Sequence, residues 1–201
     1  MIASSSDKHF LHSSVVLRHA NGNSGEAEHL IETILTEAAV AKRRVWVSSV
    51  LFAELRPSTF VPGRFATLFE LTRYIRALAT LVTPDPNAML RVAKLRDAKW
   101  LMPGDGHGAE GKPRTMSLGD AMQIASALWV KEAIGVPDLE FLTFDDWCSP
   151  DGKPGNRLCL LHLQDYAVDV GVSPDVKAAI RLTRLEPVVH ARAYPDSVPV
   201  G

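Results

Sequence analysis

Short apolar runs alternate along this chain with stretches in which apolar residues recur every three or four positions. The runs at His9-Phe10-Leu11, Arg44-Val45-Trp46-Val47, Leu78 to Val82, Leu139 to Phe144 and Arg157 to Leu163 are too short for helices and predict strands. Between them, four groups carry helical spacing: Leu30, Ile31, Ile34 and Leu35; Val50, Leu51 and Leu55; Phe65, Leu68, Phe69 and Tyr74; and Leu90, Ala93 and Leu95. The clearest helix runs from Leu118 to Ala133, with Met122, Ala125, Ser126, Trp129 and Val130 spaced for one buried face. Strand alternating with helix predicts an α/β fold with a mostly parallel sheet covered on both sides.

Two segments interrupt this rhythm. Pro103 to Pro113 holds Gly104, Gly106, Gly108 and Gly111 and reads as a surface loop, and Ser149 to Asn156 reads as a turn cluster. Beyond Asp165 only Pro174 to Leu182 has a helical pattern before a Pro-punctuated tail. The expected organisation is therefore one domain over 8–165 with a short C-terminal extension over 166–201.

Composition narrows the class. The chain has 201 residues, 46% of them hydrophobic, enough apolar surface to offset the entropy of ordering, which excludes wholesale disorder. A net charge of −1 gives no global basic field, so any nucleic acid must be held by a local patch. Cys148 and Cys159 fit neither a secreted disulfide framework nor a Cys-x-x-Cys site. No stretch approaches the ~20 apolar residues of a membrane span, and the N-terminus lacks a signal-peptide pattern, so a cytoplasmic protein is expected.

Ligands of open parallel sheets bind beyond the carboxyl ends of the strands, so the residues just after each strand are the ones placed to do chemistry. His12-Ser13-Ser14 comes after the first, Ser48-Ser49 with Glu54 after the second, and Thr143-Phe144-Asp145-Asp146 after the Glu140-Phe141-Leu142 run, while Asp120 opens the strongest helix. Each has an ordinary structural reading. Asp120 after Ser117 is a cap, and Asp145-Asp146 makes a strand-end turn. Glu54 stands among apolar residues, where a buried glutamate needs a cation. Converging on one sheet edge, the carboxylates need positive charge, which a hard divalent cation would supply. The Gly106 to Lys112 stretch matches part of a phosphate-binding loop, but no strand precedes it and Pro113 stands where that motif needs Ser or Thr.

In order and spacing, Val47 to Leu55, Ser117 to Ala127 and Phe141 to Asp146 resemble three signature blocks of the PIN-domain nucleases, which include the VapC-type toxins. The resemblance spans about His9 to Leu163. It implies a three-layer α/β/α domain and a metal-dependent endoribonuclease using Mg²⁺ or Mn²⁺ to hydrolyse RNA phosphodiesters. Glu54, Asp120 and Asp145 would then be catalytic and metal-binding, with Asp146 a further metal ligand and Ser14 and Thr143 supporting. Arg56, Lys112 and Arg114, with Arg18, would face RNA. The resemblance also implies a homodimer and a small antitoxin-type partner. His12 stands where the family has its first aspartate, and because imidazole is a poor Mg²⁺ ligand it implies impaired catalysis. Asp7 would replace it only if the first strand began upstream, in the poor strand sequence Ser4-Ser5-Ser6. The other reading is a non-catalytic PIN-like module that binds RNA or protein.

Overall fold

A computed structural model describes residues 6–22, 26–57, 60–101, 113–145, 158–168 and 173–187. At its centre is a five-stranded, wholly parallel sheet of β1 (Lys8–Leu11), β2 (Arg44–Ser48), β3 (Thr80–Val82), β5 (Glu140–Leu142) and β7 (Arg184–Leu185), in the order β3-β2-β1-β5-β7. A small antiparallel pair, β4 (Trp100–Leu101) with β6 (Ala167–Val168), lies apart from it. The helices are α1 (Ser13–Asn21), α2 (Glu26–Ala39), α3 (Leu51–Glu54), α4 (Leu68–Leu78), α5 (Pro86–Asp97), α6 (Leu118–Glu132) and α7 (Pro174–Arg181). The expected three-layer α/β/α architecture is the one observed.

Strand alternation builds two cores, one on each face of the sheet. Phe10, Trp46, Val82 and Phe141 point to the side covered by α5, α6 and α7, whereas Leu11, Val45, Val47 and Leu142 point to the side covered by α1, α2 and α4. Phe10 and Phe141 stack with ring centroids 5.6 Å apart, joining the two central strands beneath the carboxyl end of the sheet.

Helix starts obey the sequence closely. Thr67, Asp85, Ser117 and Ser173 each accept a backbone N–H from the first turn of the helix they precede, and Pro86 and Pro174 occupy first-turn positions where no N–H is missed. α1 ends at Gly22, whose φ of 66° suits the left-handed cap it forms.

Four expectations are corrected. Leu158 to Leu163 buries Leu158, Cys159, Leu160 and Leu163 but is not a strand; it turns into a 3₁₀ segment at Leu163–Asp165, because the edge of β5 is already taken by β7 through Phe141 N–H to Thr183 O and Thr143 N–H to Leu185 O. Arg157 lies outside the described residues. For the same reason residue 165 is not a structural boundary: α7 and β7, placed in the extension, complete the core and the sheet. α6 is buried nearly all round, with Gln123, Ile124 and Leu128 inside, while Met122 and Trp129 are only half-buried. In α5 the inner face is Ala88, Val92 and Leu95, and Leu90 is 64% exposed. Residues 102–112 of the glycine-rich loop and the Ser149 to Asn156 cluster lie outside the described residues.

Candidate active site at the carboxyl end of the sheet

The site begins with a histidine acting as a helix cap. His12 ends β1 with extended backbone and is the N-cap of α1, its Nδ1 accepting the Ser14 N–H at 3.4 Å. The Ser14 hydroxyl lies 2.9 Å and the Thr143 hydroxyl 3.2 Å from the same nitrogen. Those hydroxyl oxygens in turn accept the Phe144 and Asp145 N–H groups, both at 3.0 Å, which leaves their protons free to point at the ring. Nδ1 is therefore an acceptor, and the network assigns the ring proton to Nε2. That buried nitrogen has no hydrogen-bond partner within good geometry, but it faces Asp120 Oδ1 at 3.4 Å. The ring also leans on Phe141, 5.7 Å between centroids.

Asp120 is half-buried in the first turn of α6. Its N–H is capped by Ser117 Oγ at 3.1 Å, and the Ser117 hydroxyl donates to Asp120 Oδ2 at 2.6 Å. The cap reading and the functional reading thus hold together: the helix start fixes this carboxylate opposite His12.

Glu54 reaches the same helix start from α3. Its Oε2 accepts a proton of Gln123 Nε2 at 2.7 Å, and its Oε1 lies so close over Gly119 that a Cβ at that position would collide with it. The partner that Glu54 needs in apolar surroundings is an amide and not a cation.

Asp145 belongs to the next step outward. Its N–H goes to Thr143 Oγ1, and its Oδ2 accepts Leu160 N–H at 3.3 Å while its carbonyl accepts Leu161 N–H at 3.0 Å, so it holds the Leu158 to Leu163 segment on the domain. Among the described residues, no three of His, Cys, Asp or Glu stand close enough to hold a metal ion. With an N–H of His12 directed at Asp120 in place of a carboxylate, the donors as arranged do not fit Mg²⁺ or Mn²⁺. Asp146 and Lys112 lie outside the described residues.

The expected RNA-facing residues divide. Arg56 is exposed, and its backbone N–H bonds to Glu54 O at 2.9 Å. Arg18 is exposed too, its guanidinium 4.3 Å from the centre of the Phe144 ring, next to Asp145. Arg114 is half-buried instead: its backbone pairs with Trp100 and its side chain donates to the Tyr166 hydroxyl at 3.2 Å, which accepts Cys159 N–H.

Sequence reasoning passed over two site residues, Gln123 and Gly119. The signal for the first was present, since an amide inside the apolar run Met122 to Ala127 needs partners when buried. No helix of the described residues is long and apolar enough to cross a membrane. No known protein family, curated protein or solved structure matches this chain.

Proposed function

We propose that this chain is a PIN-like domain directed at RNA, a divalent-cation-type endoribonuclease whose cleavage is impaired because His12 replaces the first carboxylate. The observation that supports this reading most is convergence: Glu54 and Asp120 meet at the start of α6, and His12 and Thr143 link that start to Asp145 across the ends of β1 and β5. Residues 66 and 25 positions apart along the chain serve one sheet edge, as phosphodiester chemistry at a strand-end site requires.

The protein's own groups perform three tasks in this reading. Glu54 and Asp120 present carboxylate oxygens at a helix N-terminus, Ser14 and Thr143 fix the His12 ring, and Arg18 and Arg56 supply the positive charge that the acidic centre lacks for a phosphate backbone. The deciding experiment is cleavage of single-stranded RNA in Mg²⁺ or Mn²⁺ by the natural chain and by His12→Asp. Strong cleavage only by the variant supports the proposal; no cleavage by either removes it.

One observation favours the second reading, a binding module without catalysis. Ser14 and Thr143 hold the imidazole through Nδ1 and set its Nε2 3.4 Å from Asp120, so the chain's own side chains fix a ring nitrogen opposite that carboxylate. RNA retention with no cleavage by His12→Asp would support that alternative. The further partners in this proposal are a second copy of the chain and a small antitoxin-type protein, in a cytoplasmic setting. Phe69, 72% exposed on α4, offers an apolar surface for the second copy.

A further inference from the structure

We infer that Gln123 is the positioning residue of this site, its buried carboxamide aiming the Glu54 carboxylate and tying it to the backbone that carries His12. Gln123 is fully buried in α6, where an unsatisfied amide would be costly. Nothing of that cost remains. Oε1 accepts Ser13 N–H at 3.0 Å, and the two protons of Nε2 go to Ser13 Oγ at 3.0 Å and Glu54 Oε2 at 2.7 Å. Both hydrogens of the amide nitrogen are thus used, and each acts on a different element.

Glu54 is confined from two sides. Gly119 and Gln123 are four residues apart and so share one face of α6. The missing Cβ of Gly119 admits Oε1, and the amide of Gln123 takes Oε2. Losing the amide of Gln123 frees a side chain that has several rotatable bonds, and a Cβ at 119 pushes the same carboxylate out of its place. Through Ser13, the first residue of α1, the same amide fixes the peptide next to His12. A hydrophobic residue of equal size at 123 would fill the space and hold neither. The functional meaning of this role rests on the nuclease reading; the geometry does not.

The test uses the full chain with Gln123→Met, which keeps the volume and removes the amide, and Gly119→Ala, which pushes on Glu54 from the other side. The Cβ of Gly119→Ala collides with the far end of the Glu54 side chain and keeps an ordinary 3.9 Å contact with Ser117 Oγ, so it serves even if Gln123→Met fails to fold. The first readout is the ¹³C carboxyl resonance of Glu54, assigned by its loss in Glu54→Gln. It is expected to shift in both variants while the other glutamates stay put. The second readout is Mn²⁺-dependent RNA cleavage in a His12→Asp background. There each variant is expected to lose about 10- to 100-fold, with no further loss when combined with Glu54→Gln. A Glu54 resonance unmoved by Gly119→Ala and by any folded Gln123→Met overturns the inference, and so do losses that multiply with Glu54→Gln. A shifted resonance in a His12→Asp protein that cuts no RNA upholds the positioning role and overturns the nuclease reading instead.

Discussion

His12 Nε2 faces Asp120 Oδ1 across 3.4 Å, and it does so as the donor end of a ring whose other nitrogen is held by Ser14 and Thr143. A ring N–H therefore faces a carboxylate that a PIN-type site would give to a cation. Replacing His12 by Asp removes that donor and supplies a hard anionic oxygen. The variant is expected to bind Mn²⁺, and a rise in its melting temperature with added Mn²⁺, absent in the natural chain, checks this. In the same background Asp120→Asn is expected to abolish both the rise and the cleavage.

At the opposite end of the sheet, His9 is expected to make the fold acid-sensitive. It is fully buried, with Arg43 Nη1 2.8 Å from its Nε2, and burial, reinforced by the Arg43 charge, lowers its pKa to about 4. Between that value and the ordinary 6.5, the unfolded chain binds a proton that the folded chain refuses. Stability is thus complete above about pH 6.5 and falls as the pH drops toward 4, by about 3 kcal/mol from this group. His19, whose pKa burial also lowers, acts in the same direction. Urea unfolding at pH 7 and pH 4.5 should show a smaller difference for His9→Gln than for the natural chain.

RNA binding should discriminate among the arginines. Arg18→Ala and Arg56→Ala are each expected to weaken binding of single-stranded RNA and to flatten its logarithmic salt dependence by about 0.7. Arg114→Ala, which loses its contact with Tyr166, should instead lower the melting temperature and leave the salt slope alone. Filter binding over a salt series separates the two behaviours.

Self-association through α4 predicts that Phe69→Glu yields a monomer by light scattering at concentrations where the natural chain is a dimer. Because Phe69 is 72% exposed, its substitution should change the stability of the monomer by no more than about 0.5 kcal/mol.

How far the sequence could be read depended on whether a segment's pattern was set locally. β1, β2 and β5 were legible because each is a short run buried on both faces, β3 because it ends a short apolar run, and α6 because it is long. α1 was not, since a histidine caps it and its inner face includes His19. β7 is two half-buried residues, Arg184 and Leu185, with no apolar pattern, whereas Leu158 to Leu163 is apolar without being a strand. Competition for one sheet edge decided between those two, and that is a property of the assembled fold. At the site, Glu54 and Asp120 could be expected at strand and helix ends. The bond from Leu160 to Asp145 and the bridge from Gln123 to Glu54 could not, because both join segments whose approach only packing determines.

The central place of β1 bears on when the site comes into being. As the chain leaves the ribosome, β1 can pair with β2 early, but its other edge waits for β5, which begins at Glu140. Thr143 is absent from His12 until then, although much of the α1–α2 side of the domain already exists. Such long-range pairing is slow and comes late in synthesis. A nascent chain stalled before β5 would carry β1, β2 and β3 without the residues that follow β5, so the contact of His12 with Thr143 forms only after the chain has passed Thr143.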